Sequence, residues 1–291
     1  MDNNFISKLT KEEDQAEIDE IKKIITSERE IDKESIKFLI EGLGGTNGLT
    51  RRNYAEQLGK IGKAVLPELI NALMNSKNVV QRRAAAKTLK LVADPTALPH
   101  LIKALTNDSD SVVKCSAAGA IAIFGEAAVN HLILVLENKK HTEMTHGLAA
   151  WCLAFSGAKA PYAIKKAAKS KNMKVKSAAI AALEEHIRQS KDEEAIQLVT
   201  RAIYDRNEDV QIEAIKLIGK LYKIESFIPI LISKLNNKSP NIRKASILSL
   251  MQLNIKESKK NIQDLLAIEK NKDVKKIIKL AIGVIDKEKH C

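Results

Sequence analysis

The sequence predicts an all-α chain, a right-handed α-solenoid of about eight short helix-pair repeats preceded by an N-terminal helical cap. Three observations predict it. An apolar unit, Leu66-Pro67-Glu68-Leu69-Ile70-Asn71-Ala72-Leu73, returns 32 residues later as Leu98-Pro99-His100-Leu101-Ile102-Lys103-Ala104-Leu105, and a fixed period of this length marks a stack of identical small modules. Hydrophobic residues make up 45% of the chain but aromatics only 3%, so the core must be assembled from Ala, Leu, Ile and Val at close range, which suits thin paired helices. With 12 glycines and 6 prolines in 291 residues, there are too few turn formers for a many-stranded β architecture.

The elements follow in order. Residues 1–41 hold more acids than bases and read as the cap; residues 42–285 read as the repeat array, and residues 286–291 as a tail. The first helix of each pair is announced by the unit above, which recurs without its proline at Asn130 to Leu136 and with it at Ile228 to Leu235. Proline in a first helical turn forfeits no hydrogen bond, so Pro67, Pro99 and Pro229 mark helix starts. The second helix is written Arg82 to Leu89, Lys114 to Ile121, Lys176 to Leu183, Gln211 to Ile218 and Arg243 to Leu250. Small residues at its centre permit close packing, and Asn78, Asp110, Asp209 and Asn241 stand upstream as helix caps. The ankyrin and tetratricopeptide signatures are absent, and the period is shorter than the roughly 40 to 47 residues of standard HEAT repeats. The modules are therefore HEAT-like and compact.

Formal net charge is +12, and the excess lies in the repeats, a field that favours anionic partners. Cys115, Cys152 and Cys291 form neither a disulfide framework nor a CxxC pair, which predicts a reducing compartment and no structural metal. No apolar run approaches the roughly 18 residues that span a bilayer, and the acidic first twenty residues are unlike a signal or transit peptide. A soluble, cytoplasmic protein without a membrane partner is expected.

Taking the leucine or isoleucine near the end of each second helix as a fixed mark, the residues six and two before it fall one turn apart on the side away from the core. The first column reads Arg52, Arg83, Cys115, Gly147, Ser177, Ile212 and Lys244, and the second Glu56, Lys87, Gly119, Trp151, Ala181, Lys216 and Leu248. Small residues surround the single tryptophan, with bases to either side. A flat apolar ligand with anionic arms fits such a surface. Two alternatives stand beside this reading: a shift of one residue in phase would make the small stripe a packing surface and Trp151 core, and Arg52 and Arg83 would serve equally in a ladder bonding acids of the next repeat. His141 and His146 flank Glu143, but five-residue spacing does not place two imidazoles on one helix face and no third ligand is evident, so no metal site is predicted. Cys115 and Cys152, set among alanines, read as buried inert thiols unless the column places Cys115 in the groove.

Arg52 to Gly62, Arg82 to Leu89 and above all Gly147-Leu148-Ala149-Ala150-Trp151-Cys152-Leu153 through Gly157-Ala158-Lys159-Ala160-Pro161 resemble the HEAT-repeat phycobiliprotein bilin lyases of the E/F type, most nearly the phycoerythrin-directed members. The resemblance spans about Gly42 to Gly283. It implies an enzyme of the phycobilisome pathway that attaches a linear tetrapyrrole, phycoerythrobilin, to a cysteine of a phycobiliprotein subunit, the beta subunit of phycoerythrin, through a thioether. The bilin is then substrate, with no tightly bound cofactor, and the compartment is cyanobacterial cytosol or plastid stroma. In that setting Arg52, Arg83 and Lys87 hold the propionates, Cys115, Gly119 and Gly147 leave room for the ring system, and Trp151 stacks on it. Tyr54, Glu56 and His146 are the candidate proton donors. A second lyase or chaperone subunit is a further partner that the resemblance allows.

Two other functions compete. A noncatalytic helical adaptor or chaperone for an acidic protein would use the same groove. A HEAT-like DNA glycosylase would match the basic repeats, but it wants aromatic residues beside a catalytic acid, and one tryptophan stands alone here, so no nucleic-acid partner is expected.

Overall fold

The computed structural model describes Ala16, residues 32–221 and residues 226–285. Among the described residues all regular structure is helical. The α-helices run in pairs: α1 (Lys33–Gly42) with α2 (Gly48–Ile61), α3 (Leu66–Asn75) with α4 (Val79–Val92), α5 (Leu98–Asn107) with α6 (Ser111–Ile121), α7 (Glu126–Glu137) with α8 (Glu143–Ser156), α9 (Pro161–Ala167) with α10 (Met173–Ala182), α12 (Glu193–Ala202) with α13 (Glu208–Lys220), α14 (Phe227–Lys234) with α15 (Pro240–Gln252), and α16 (Lys259–Ile268) with α17 (Lys272–Ile285). A short extra helix, α11 (Glu184–Ser190), follows α10.

The chain divides into two compact units, one ending at Cys152 and one beginning at Leu153, so the division falls inside α8. In the first unit the helices form two layers. First helices pack on first helices (α1 on α3, α3 on α5, α5 on α7) and second helices on second helices (α2 on α4, α4 on α6), while the Cys152 thiol ties α8 to α6 by donating to the Ala118 carbonyl at 3.3 Å. The core between the layers is aliphatic, with Leu39, Leu58, Leu69, Leu89, Leu101, Ile121 and Leu132 fully buried. In the second unit α10 packs on α13, α13 on α15 and α15 on α17, each with its own first helix behind it.

Local signals placed most helix ends. Pro67 and Pro99 stand in the first turns of α3 and α5, and Asn78 and Asp110 cap α4 and α6 by accepting from Val80 N (2.9 Å) and Val113 N (2.8 Å). Two caps differ from expectation. Asn207 and Ser239, not Asp209 and Asn241, cap α13 and α15, because those helices begin at Glu208 and Pro240 and the expected residues already lie in the first turn. Pro229 likewise sits at the third residue of α14.

The cap boundary moves as well. α1 buries Ile36, Leu39 and Ile40 and packs on α2 and α3, so it is the first helix of the first pair. Its close approach to α2 depends on Gly42, where a Cβ would collide with the Tyr54 ring. The remainder of the expected cap, apart from Ala16, and the expected tail at 286–291 lie outside the described residues.

Candidate ligand-binding groove

The phase assigned to the second helices holds at all seven repeats that carry a mark. The marks Leu58, Leu89, Ile121, Leu153, Leu183, Ile218 and Leu250 are all buried, and none of the fourteen residues of the two columns is. The alternative that Trp151 belongs to the core therefore falls: 45% of it is exposed. Ideal Cβ atoms on Gly119 and Gly147 would meet nothing within 4 Å, so these glycines border open space and do not serve close packing. Cys115, expected among buried thiols, is exposed, since its place six residues before Ile121 turns it outward.

The structure gathers one group of the expected residues. Arg52, Glu56, Arg83 and Lys87 line a common groove of about 680 Å³ across α2, α4 and the start of α6, with Arg51 and Lys90. Its apolar surface comes from Ala55, Val80, Ala84, Leu91 and Val112, of which Leu91 and Val112 are large and exposed. Cys115, Gly119, Gly147 and Trp151 do not line it; they continue the same columns on α6 and α8 of the first unit.

Charge inside the groove is partly spent. Arg52 Nε donates to Glu56 Oε1 at 2.7 Å, one turn along α2. Arg83 makes a two-pronged pair with Asp110, Nε to Oδ1 at 3.0 Å and Nη2 to Oδ2 at 2.8 Å. That guanidinium, together with the Val113 amide, holds the Asp110 carboxyl down at about 2. The ladder reading of Arg83 is thus correct in geometry, although the residue also faces the groove. Arg52 belongs to no ladder, because its acid is on its own helix.

A second, structural ladder lies one residue earlier. The residue seven before each mark turns back to the linker between paired helices or across to the next repeat: Arg51 to the Gly45 carbonyl (2.6 Å), Arg82 to Ser76 O (2.9 Å) and to Asp108, Lys114 to Thr106 O (3.1 Å), Lys176 to Asp205 (3.0 Å), Gln211 to Asp205 O (2.5 Å), and Arg243 to Asn237 O (2.8 Å) and to Glu269. The bonds to backbone oxygens satisfy carbonyls at or just beyond helix ends, and those to Asp108, Asp205 and Glu269 are ion pairs that tie neighbouring repeats together. His146 is the member of this series on α8. It is 5% exposed, and its Nε2 meets the Asn138 carbonyl at 3.1 Å. The expectation that His146 donates a proton in the groove is corrected accordingly: its ring staples the turn.

Tyr54 is corrected for a related reason. It lies four residues before Leu58, on the core face, is 1% exposed, and packs edge-on against Phe38 with ring centroids 5.8 Å apart. Of the three candidate donors only Glu56 reaches the groove. Cys152 is inert by burial, its thiol pushed up to about 12. His141, held below its ordinary value by burial and by the neighbouring His146 and Lys114, lies edge-on to His146. Among the described residues no group of three or more His, Cys, Asp or Glu side chains could hold a metal ion, and no helix is long and apolar enough to cross a membrane.

Lys90, Leu91 and Val112 were missed by sequence reasoning. Leu91 was legible, because it lies one turn beyond Lys87 in the second column, and Lys90 beside it shares the exposed edge.

HEAT repeats match residues 36–122 and 198–283. The chain is 37% identical to the bilin biosynthesis protein MpeU of Synechococcus sp. (strain WH8020) over 222 residues, 76% of this chain and 75% of that protein. Among solved structures it is similar to the Escherichia coli protein YibA (19% identity, 90% of this chain and 99% of that one, TM-score 0.41). It is also similar to the complex of CpcE and CpcF of phycocyanin lyase from Nostoc sp. PCC7120 (17% identity, 89% and 99%, TM-score 0.36). Repeat matches over more than half of the chain, and 37% identity to MpeU across three quarters of it, make this protein a member of the HEAT-repeat family that includes this bilin biosynthesis protein.

Proposed function

We propose that the chain is a phycobiliprotein bilin lyase that receives a linear tetrapyrrole along the exposed face of its second helices and promotes thioether attachment to a client cysteine. The observation that carries this reading is a groove with apolar surface and cationic residues, continued by an open clearing around an exposed tryptophan, in a chain 37% identical to a bilin biosynthesis protein. A tetrapyrrole offers the complementary chemistry: a planar conjugated body for the apolar surface and the indole, and two propionates for the cations.

The reaction is an addition without redox change or leaving group. The client thiolate forms a C–S bond to the ethylidene carbon, the π pair of that double bond moves into the ring system, and a proton restores neutrality. The chain contributes orientation of the two reactants, and Glu56, the one candidate donor in the groove, stands where a proton can be held or moved. The finer assignment, phycoerythrobilin onto phycoerythrin, rests on the sequence resemblance of the Trp151 segment.

Coexpression with a phycoerythrobilin-producing pathway and a phycoerythrin subunit tests the proposal. The client should remain coloured after denaturation, as a covalent adduct. A soluble but uncoloured client would replace the lyase with a chaperone, and colour on a phycocyanin subunit alone would correct the specificity.

A further inference from the structure

We infer that Lys87 and Lys90 together form the carboxylate anchor of the groove, and that its arginines do not. This rests on the tetrapyrrole reading above and assigns its anionic end to two particular side chains. Five cations line the groove against one acid, Glu56. Three of the five are already engaged. Arg51 donates to the Gly45 and Thr46 carbonyls at 2.6 and 2.7 Å, Arg52 is held by Glu56 at 2.7 Å, and both prongs of Arg83 are taken by Asp110. Arg83 keeps its Nη1 hydrogens, but its charge is already matched by the Asp110 carboxylate, which also caps α6 through Val113 N, so it offers a ligand anion much less attraction than an unpaired cation does.

Lys87 and Lys90 are different. Both are exposed, and neither has an ion pair among the described residues. They stand three residues apart on α4, which puts their Cβ atoms about 5–6 Å from each other on one edge of the helix. Two like charges at that spacing, with Arg83 one turn before Lys87, destabilise an isolated helix by a few tenths of a kcal/mol, and an anion between them removes that repulsion. Leu91 and Ala84, beside them on the same helix, supply apolar surface for the body of the ligand. The site therefore fits a molecule with adjacent carboxylates on a flat apolar frame, each ammonium acting as a compact point charge with three rotatable donors on a flexible stem.

Biliverdin and its dimethyl ester separate the contributions, since they share the conjugated body and differ in the two carboxylates. The wild-type chain should bind the diacid about tenfold or more tightly than the ester, and Lys87→Gln and Lys90→Gln should each erase much of that preference, by roughly fivefold to tenfold, while leaving ester affinity unchanged. Lys103→Gln, an exposed lysine on the other layer, serves as control. Undiminished preference in both lysine variants, or its loss in Arg83→Gln alone, overturns the anchor and leaves tetrapyrrole binding standing. Binding of neither compound by the wild type overturns the tetrapyrrole reading itself, and the anchor with it.

Discussion

At the scale of single residues, the clearing is where stability and function part company. Glycine in a helix costs up to about 1 kcal/mol relative to good helix formers, and Gly119 lies in the last turn of α6, which continues into a 3-10 turn at Ala122–Phe124, with open space where its Cβ would be. Nothing in the packing requires a glycine there. Gly119→Gln should therefore raise the melting temperature, consistent with a gain of about 0.5–1 kcal/mol, yet weaken tetrapyrrole retention at least tenfold by filling the surface beside Trp151. Because the chain has one tryptophan, quenching of its emission reports binding without a label. Unchanged quenching in a stabilised variant would mean that the small residues mark no ligand. Tyr54 and His146 show why a candidate list built on chemistry alone goes astray. Each lies four or seven residues before a buried mark, so the periodicity that correctly placed Trp151 already assigned both to the inner face. Their side chains suggested proton transfer, but their phase did not.

At the scale of elements, helix identity and order were legible because the period recurs in apolar residues, which must be buried wherever they fall. Cap positions were less legible. Asn207 and Asp209, or Ser239 and Asn241, are equally good caps as residue types, and only the backbone shows which one precedes the first turn. The ladders joining neighbouring repeats were visible as a possibility but not as an assignment, since an arginine six or seven before a mark can reach either the groove or the adjacent linker. Asp110 joins both functions, capping α6 and receiving Arg83. With its carboxyl at about 2 in the fold and near 3.9 in an unfolded chain, the unfolded state binds the extra proton first as pH falls. The contribution of Asp110 is complete above about pH 4 and is lost through about pH 2. Asp110→Asn keeps a competent cap but no ion, so the difference in melting temperature between wild type and variant should be largest at neutral pH and shrink by pH 2–3. A constant difference across that range would show that Arg83 and Asp110 contribute geometry and not charge.

At the scale of the whole molecule, the net charge of +12 acts beyond any single contact. Many of its lysines are exposed and distributed over both units, so they set a long-range field more than a bond list. The division at Cys152 and Leu153 left no trace in the sequence, because α8 carries the repeat pattern through it without interruption. Such a field speeds encounter with anionic partners and is screened within a Debye length of about 10 Å at 0.1 M salt. The two stages of the proposed reaction should then respond differently to ionic strength. Docking of an acidic client should slow by roughly tenfold or more as salt rises from about 0.02 to 0.5 M, as expected for steered association. The bond-forming step within the assembled complex, which involves a thiolate and a bound conjugated ring at close quarters, should change far less. Stopped-flow measurement of client binding, set against single-turnover colour formation at saturating client, reads the two separately. Equal salt sensitivity in both would place the influence of the charge inside the groove and not in the approach to it, and a docking rate indifferent to salt would assign the basic surface to solubility alone.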